Sequence, residues 1–133
     1  MTSTIKISEK DKVFQLAYKV GWVGLIGRQI NIQGIDFSFC HLKENNDEII
    51  IRISEVNSGA LILAVPVDII NSFILDTKEK LFAFYESELV PLVEAKIKEN
   101  GIKKIQEEAE KVKKRMIKKF GDIPVIDDEE ETE

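Results

Sequence analysis

The sequence predicts an α+β domain built as an N-terminal helix, an antiparallel meander of three to four strands, and then C-terminal helices. Three observations predict it. Apolar residues gather on one helical face between residues 9 and 20. Ile49, Ile51 and Ile53 alternate with Ile50, Arg52 and Ser54 as a strand requires, and beyond residue 68 the spacing of three and four returns.

The first helix is expected from about Glu9 to Val20. Ser8 followed by Asp11 resembles a capping box, and Val13, Phe14, Leu16, Ala17 and Val20 cluster on one face. A strand competes for the same residues, because Phe14, Leu16, Tyr18 and Val20 also alternate with Gln15, Ala17 and Lys19. The run GWVGLIG, with Gly21, Gly24 and Gly27, reads as a turn leading into the sheet. From Gln29 to Leu42, Ile30, Ile32, Phe37 and Phe39 show interrupted alternation around Gly34, which marks a bulge or a turn between two strands. Glu44, Asn45, Asn46 and Asp47 form a turn by composition.

The clearest hairpin follows. Ile49–Ser54 leads through Asn57-Ser58-Gly59 into the apolar run Ala60–Val65. Pro66 cannot donate to a ladder, so it closes that strand unless the strand lies at an edge. Asp68 is placed to cap a short helix through Asn71, Phe73 and Leu75. Asp76 with Glu79 opens a longer one through Leu81, Phe82, Tyr85, Leu89, Val93 and Ile97. Pro91 predicts a kink there, or a restart with proline in the new first turn, and Asn100-Gly101 a stop.

The last helix, residues 102–120, spaces Ile102, Ile105, Ala109, Val112 and Met116 by three, four, three and four. That is the seam of a short coiled coil. Residues 1–121 therefore read as one domain and residues 122–133 as a disordered acidic tail.

The chain has 133 residues and one cysteine, Cys40, so no intrachain disulfide forms and the cytoplasm is the expected compartment. Its longest apolar run, Ala60–Val67, is eight residues, well short of the roughly 18 that a membrane span needs. The first residues carry no apolar signal stretch. Net charge is −5, divided unevenly, with residues 102–120 at +5 and residues 121–133 at −7.

No catalytic residue, metal ligand or cofactor site is assigned. The glycines are spaced GxxGxxG, unlike a dinucleotide or Walker loop, and the pairs between them, Trp22-Val23 and Leu25-Ile26, offer no cation to a phosphate. Cys40 and His41 are neighbours in a strand, where adjacent side chains point to opposite faces, so they form no dyad. Asp36, between Ile35 and Phe37, is the carboxylate best placed for acid-base work, but no spacing supplies its partner.

The expected function is a non-enzymatic protein-protein interaction or assembly module, self-associating as a homodimer or small homo-oligomer. Ile102, Ile105, Ala109, Val112, Met116 and Phe120 would form the interface, with Trp22 as a further anchor. The alternative is a nucleic-acid-binding protein that uses Lys103, Lys104, Lys111, Lys113, Lys114, Arg115, Lys118 and Lys119 to displace counterions. In that case the acidic tail, tethered within about one 8 Å Debye length of the last turns, would be autoinhibitory. Against the alternative stand Glu107 and Glu110, each four residues before a lysine, which is how a solvated helix stabilises itself.

Overall fold

The computed structural model describes residues 5–45, 48–68 and 77–125. Five antiparallel strands, β1 (Ile5–Tyr18), β2 (Gly21–Ile32), β3 (Ile35–Asn45), β4 (Glu48–Glu55) and β5 (Leu61–Asp68), form one sheet in simple meander order. Helices α1 (Lys78–Phe84), α2 (Val90–Asn100) and α3 (Ile102–Phe120) follow, with a π-helical turn, Tyr85–Leu89, between the first two.

Two expectations are corrected. There is no N-terminal helix, since residues 5–18 form the longest strand, and the meander has five strands rather than three to four. The alternation of Phe14, Leu16 and Tyr18 prevails because a partner lies two residues away: Tyr18 faces Gly21 across the tight link Lys19-Val20, and β2 then pairs back along the whole strand. The glycine run is strand as well. Gly24 and Gly27 lie inside β2, and a Cβ on Gly27 would fall 2.6 Å from both the Cys40 Sγ and the Phe39 carbonyl oxygen, so only hydrogen fits. Gln33 and Gly34 link β2 to β3 with φ of 54° and 90°, the two positive values that a tight hairpin turn demands. Pro66 sits within β5, which pairs only with β4 among the described residues, so the edge reading applies. The helix expected through Asn71, Phe73 and Leu75, and the cap at Asp76, lie outside the described residues. The described cap of α1 is Thr77, whose hydroxyl accepts from the Lys80 amide at 3.2 Å.

One sheet face carries Ile30, Ile32, Phe37, Phe39, Ile51 and Ile53, and the helices cover it with Tyr85, Leu89, Val90, Val93, Ile97 and Ile105. The π turn keeps the helical contribution aligned. Leu81, Tyr85, Leu89, Val93 and Ile97 are spaced by four, which in a pure α-helix would carry each about 40° round the axis from the last. A wider turn winds less per residue and takes back part of that drift, and the Val90 amide accordingly bonds the Tyr85 carbonyl five residues back. Pro91 then falls in the first turn of α2, where its missing N–H costs least.

The opposite face holds a smaller core of Phe14, Leu16 and Cys40, joined by Tyr18, Leu25 and Val56. It is closed because the sheet curls: the Ala17 amide donates to the Gly59 carbonyl at 2.9 Å, which brings the end of β1 against the β4–β5 turn. Arg52 fastens the closure from inside. Its Nη2 donates to the carbonyls of Ala17 (3.0 Å) and Gly59 (3.2 Å), its Nε donates to the Ser54 hydroxyl (2.9 Å), and its guanidinium lies 4.4 Å over the Tyr18 ring. The turn itself is built on the buried Glu55 carboxylate, which accepts from the amides of Asn57 and Ser58 and from the Ser58 hydroxyl.

Among the described residues there is no coiled coil, which corrects the expectation drawn from the α3 seam. Ile105, Ala109 and Met116 are buried within the molecule, where α3 packs on β1, β2 and α2. The stripe suits a sheet surface as well as a second helix, and the curled sheet supplies one. Among the described residues no helix is long and apolar enough to cross a membrane.

Candidate functional site

With its apolar stripe turned inward, α3 presents its cations to solvent. Lys103, Lys104, Lys111, Lys114, Arg115, Lys118 and Lys119 are exposed, and Lys113 is half-buried where its Nζ reaches the Asn57 side chain at 3.3 Å. The acids Glu107, Glu108 and Glu110 are confined to the first half of the helix, and Glu108 bridges to Lys111 at 3.4 Å. From Lys111 to Phe120 there is no acid.

The expected interface residues divide between two fates. Ile105, Ala109 and Met116 are buried and Val112 is half-buried, so they are occupied by their own chain. Ile102 and Phe120, at the two ends of α3, remain exposed. Trp22 serves inside the molecule, its Nε1 donating to the Gly121 carbonyl at 3.0 Å and so holding the end of α3. Phe120 lies beside Gly21, whose absent Cβ would meet its ring at 3.5 Å.

A trough follows one flank of α3. Near the helix C-terminus it is a groove of about 350 Å³ with Ala17, Tyr18, Val112 and Met116 as its floor, Lys19, Arg115 and Lys119 on its rim, and Phe120 at its end. Near the N-terminus a second groove, of about 290 Å³, has Ala60, Ile105, Ala109 and again Val112 below and Lys96 and Lys104 above. Val112 belongs to both. From Lys104 to Lys119 the helix rises about 22 Å, enough for an extended segment of six or seven residues. Five cations line the two grooves and one acid, Glu108, does.

The charge behind the floor adds to this field. Arg52, beneath Tyr18, is buried with no carboxylate partner among the described residues, and its charge rests on carbonyl oxygens and a ring face. Burial lowers its pKa from the ordinary arginine value, while Tyr18 opposes that shift.

Cys40 and His41 are separated as strand neighbours should be. Cys40 is buried in the smaller core, and desolvation pushes its thiol up to about 11, which leaves it a neutral packing group at physiological pH. His41 lies on the other face, where its Nε2 meets the Tyr85 hydroxyl at 2.8 Å. Asp36 is exposed and takes a hydrogen bond from the Asn31 amide at 2.8 Å. No group of three or more His, Cys, Asp or Glu side chains among the described residues is arranged to hold a metal ion. The acidic residues 127–131 and 133 lie outside the described residues, and Ile123 and Pro124, shortly before them, lie beside Val13, Phe14 and Val56.

Comparison with protein-family models, with curated proteins and with solved structures finds no match to this chain. The cations were legible in the sequence as a list of lysines. The trough was missed because half of its wall, Ala17 to Lys19, comes from residues read as a helix.

Proposed function

We propose that this chain is a non-enzymatic interaction module whose working surface is the α3 trough, and that its partner is a protein segment in which acidic and apolar residues are interspersed. One observation carries the reading: two grooves with apolar floors, sharing Val112, lie along α3 and are rimmed by Lys19, Lys96, Lys104, Arg115 and Lys119. Apolar floors take up side chains by burial, and cationic rims select acidic neighbours and speed encounter. A nucleic-acid backbone would use the rim and leave the floor empty, and the net charge of −5 opposes it at long range.

The test is fluorescence anisotropy with a labelled peptide in which glutamates alternate with leucines, set against an oligonucleotide of equal charge. The peptide is expected to bind more tightly, and the pair of substitutions Arg115→Glu and Lys119→Glu to weaken it by about tenfold or more, roughly 1.4 kcal/mol. Affinity should fall with added salt without vanishing, since floor contacts are not screened. Tighter binding of the oligonucleotide, or an unchanged affinity in the doubly substituted protein, would overturn the assignment.

A further inference from the structure

We infer that a second cleft, on the helix-covered face of the sheet, binds a small carboxylic acid with a flat apolar body; this goes beyond the docking surface and does not rest on it. The cleft, of about 230 Å³, opens where two irregularities of the backbone meet. One is a bulge in β1, where Ile7 pairs with Ile30 but Asp11 pairs with Arg28, so that β1 spends two more residues than β2. The other is the π turn that begins at Tyr85. Bulges and π turns both recur beside binding sites because each re-aims a side chain that regular structure would point elsewhere.

Arg28 holds the bulge. Its Nη1 donates to the Ser8 carbonyl at 3.1 Å, its Nη2 pairs with Asp11 Oδ1 at 2.8 Å, and its guanidinium stacks 5.0 Å from the Phe82 ring. The side chain is about nine-tenths buried, and its Nε has no hydrogen-bond partner among the described residues. A buried, unpaired donor on a charged group is costly, and such groups call for an explanation. Asp11 cancels the charge of Arg28 but accepts only part of what its five N–H groups can give.

His41 and Tyr85 supply the second polar group. Much of the imidazole is open to solvent, but its Nε2 edge is turned to the buried phenol, and desolvation lowers the His41 pKa from 6.5. Burial raises the Tyr85 pKa well above its usual value. Both are therefore neutral at pH 7, with one N–H and one O–H between them. When Nε2 carries the proton it fills the 2.8 Å contact by donating to the phenol oxygen, and the Tyr85 hydroxyl is then a donor with no partner among the described residues.

The cleft is thus rich in donors, close to neutral, and walled by Ile26, Phe39 and Leu81. A group that accepts without donating satisfies it, and a carboxylate is such a group. The apolar walls and a volume below the usual range for drug-sized ligands ask for a short, flat body. A phosphate dianion would bring two negative charges against a single arginine that Asp11 already neutralises, where a carboxylate brings one.

The full chain, ¹⁵N-labelled, is titrated with benzoate and, separately, with its neutral counterpart benzamide. Saturable shifts at the amides of Arg28, His41, Leu81 and Tyr85 are expected with benzoate, with about tenfold weaker binding for benzamide. Tyr85→Phe and His41→Gln keep the packing and should each weaken benzoate by about fivefold, as loss of one hydrogen bond does. These two variants carry the test even if Arg28→Lys fails to fold for want of its strap. The proposal falls if benzoate gives no saturable shifts in the cleft, if benzamide binds equally well, or if both variants bind as the parent does. Displacement of benzoate by a lower concentration of inorganic phosphate would overturn the ligand class.

Discussion

Replacing Arg52 by methionine is expected to destabilise the protein by about 3–5 kcal/mol, measured as the shift in a urea unfolding midpoint at unchanged slope. The volume and the stem packing are nearly kept. What is lost is the fork: two hydrogen bonds to the carbonyls of Ala17 and Gly59, one to the Ser54 hydroxyl, and the stack on Tyr18. Charge-assisted bonds of this kind contribute about 1.5–3 kcal/mol each, although the sum overstates the net because the arginine must itself be desolvated and the Gly59 carbonyl keeps the Ala17 amide as a donor. Arg52→Lys should recover little, since one ammonium on a flexible stem cannot reach three acceptors at once. A loss below about 1 kcal/mol for methionine would mean that the curl of the sheet does not depend on this side chain.

Gly59→Ala is expected to be nearly as damaging, because it strikes the same junction from the β4–β5 turn. Gly59 adopts φ of +73°, and a Cβ there would lie 2.5 Å from the Gln15 carbonyl oxygen, 3.0 Å from the Ala17 amide nitrogen and 3.1 Å from the Leu16 Cα. All three are backbone atoms of one strand, so β1 would have to move as a unit. Left-handed strain of about 1–2 kcal/mol and overpacking of about 1–3 kcal/mol act together. Gly34→Ala provides the comparison, since its φ is +90° with no atom within 4 Å of the added Cβ. It should lose only the conformational part. Equal thermal or urea stability of the two variants would show that the contact with β1 contributes nothing.

The parts of the fold that were legible in the sequence are those decided by local chemistry. The hairpin through Asn57-Ser58-Gly59 and the helix ending at Gly101 fall where composition puts them, with Gly101 at φ 88° as a helix stop requires. β1 was not legible, because Val13, Phe14, Leu16 and Ala17 satisfy a helical face and a strand face alike over so short a stretch. The decision rests on β2, and β2 was itself obscured by Gly24 and Gly27. Those glycines are present for packing against another strand, which no local rule can see.

The same division holds for the site. The exposed cations of α3 could be listed from the sequence, and its buried stripe could be recognised as needing a counterpart. Which surface supplies that counterpart could not be recognised, because a spacing of three and four fits a partner helix and a curled sheet equally. Arg52 reads as the polar, outward residue of an alternating strand, yet it is buried, because the sheet closes over its second face. The cleft at Arg28 depends on a bulge and a π turn, and both are departures from the periodicity by which strands and helices are read.

Hydrogen exchange along the last helix, followed over a broad dilution series of the purified chain, addresses most directly whether α3 is held by its own sheet. Amides from Ile105 to Met116 should stay protected to the same degree at every concentration, as contacts within one molecule require. Protection that fades as the protein is diluted would place the helix's apolar face against another molecule, and the trough described along its flank would not exist in the free chain.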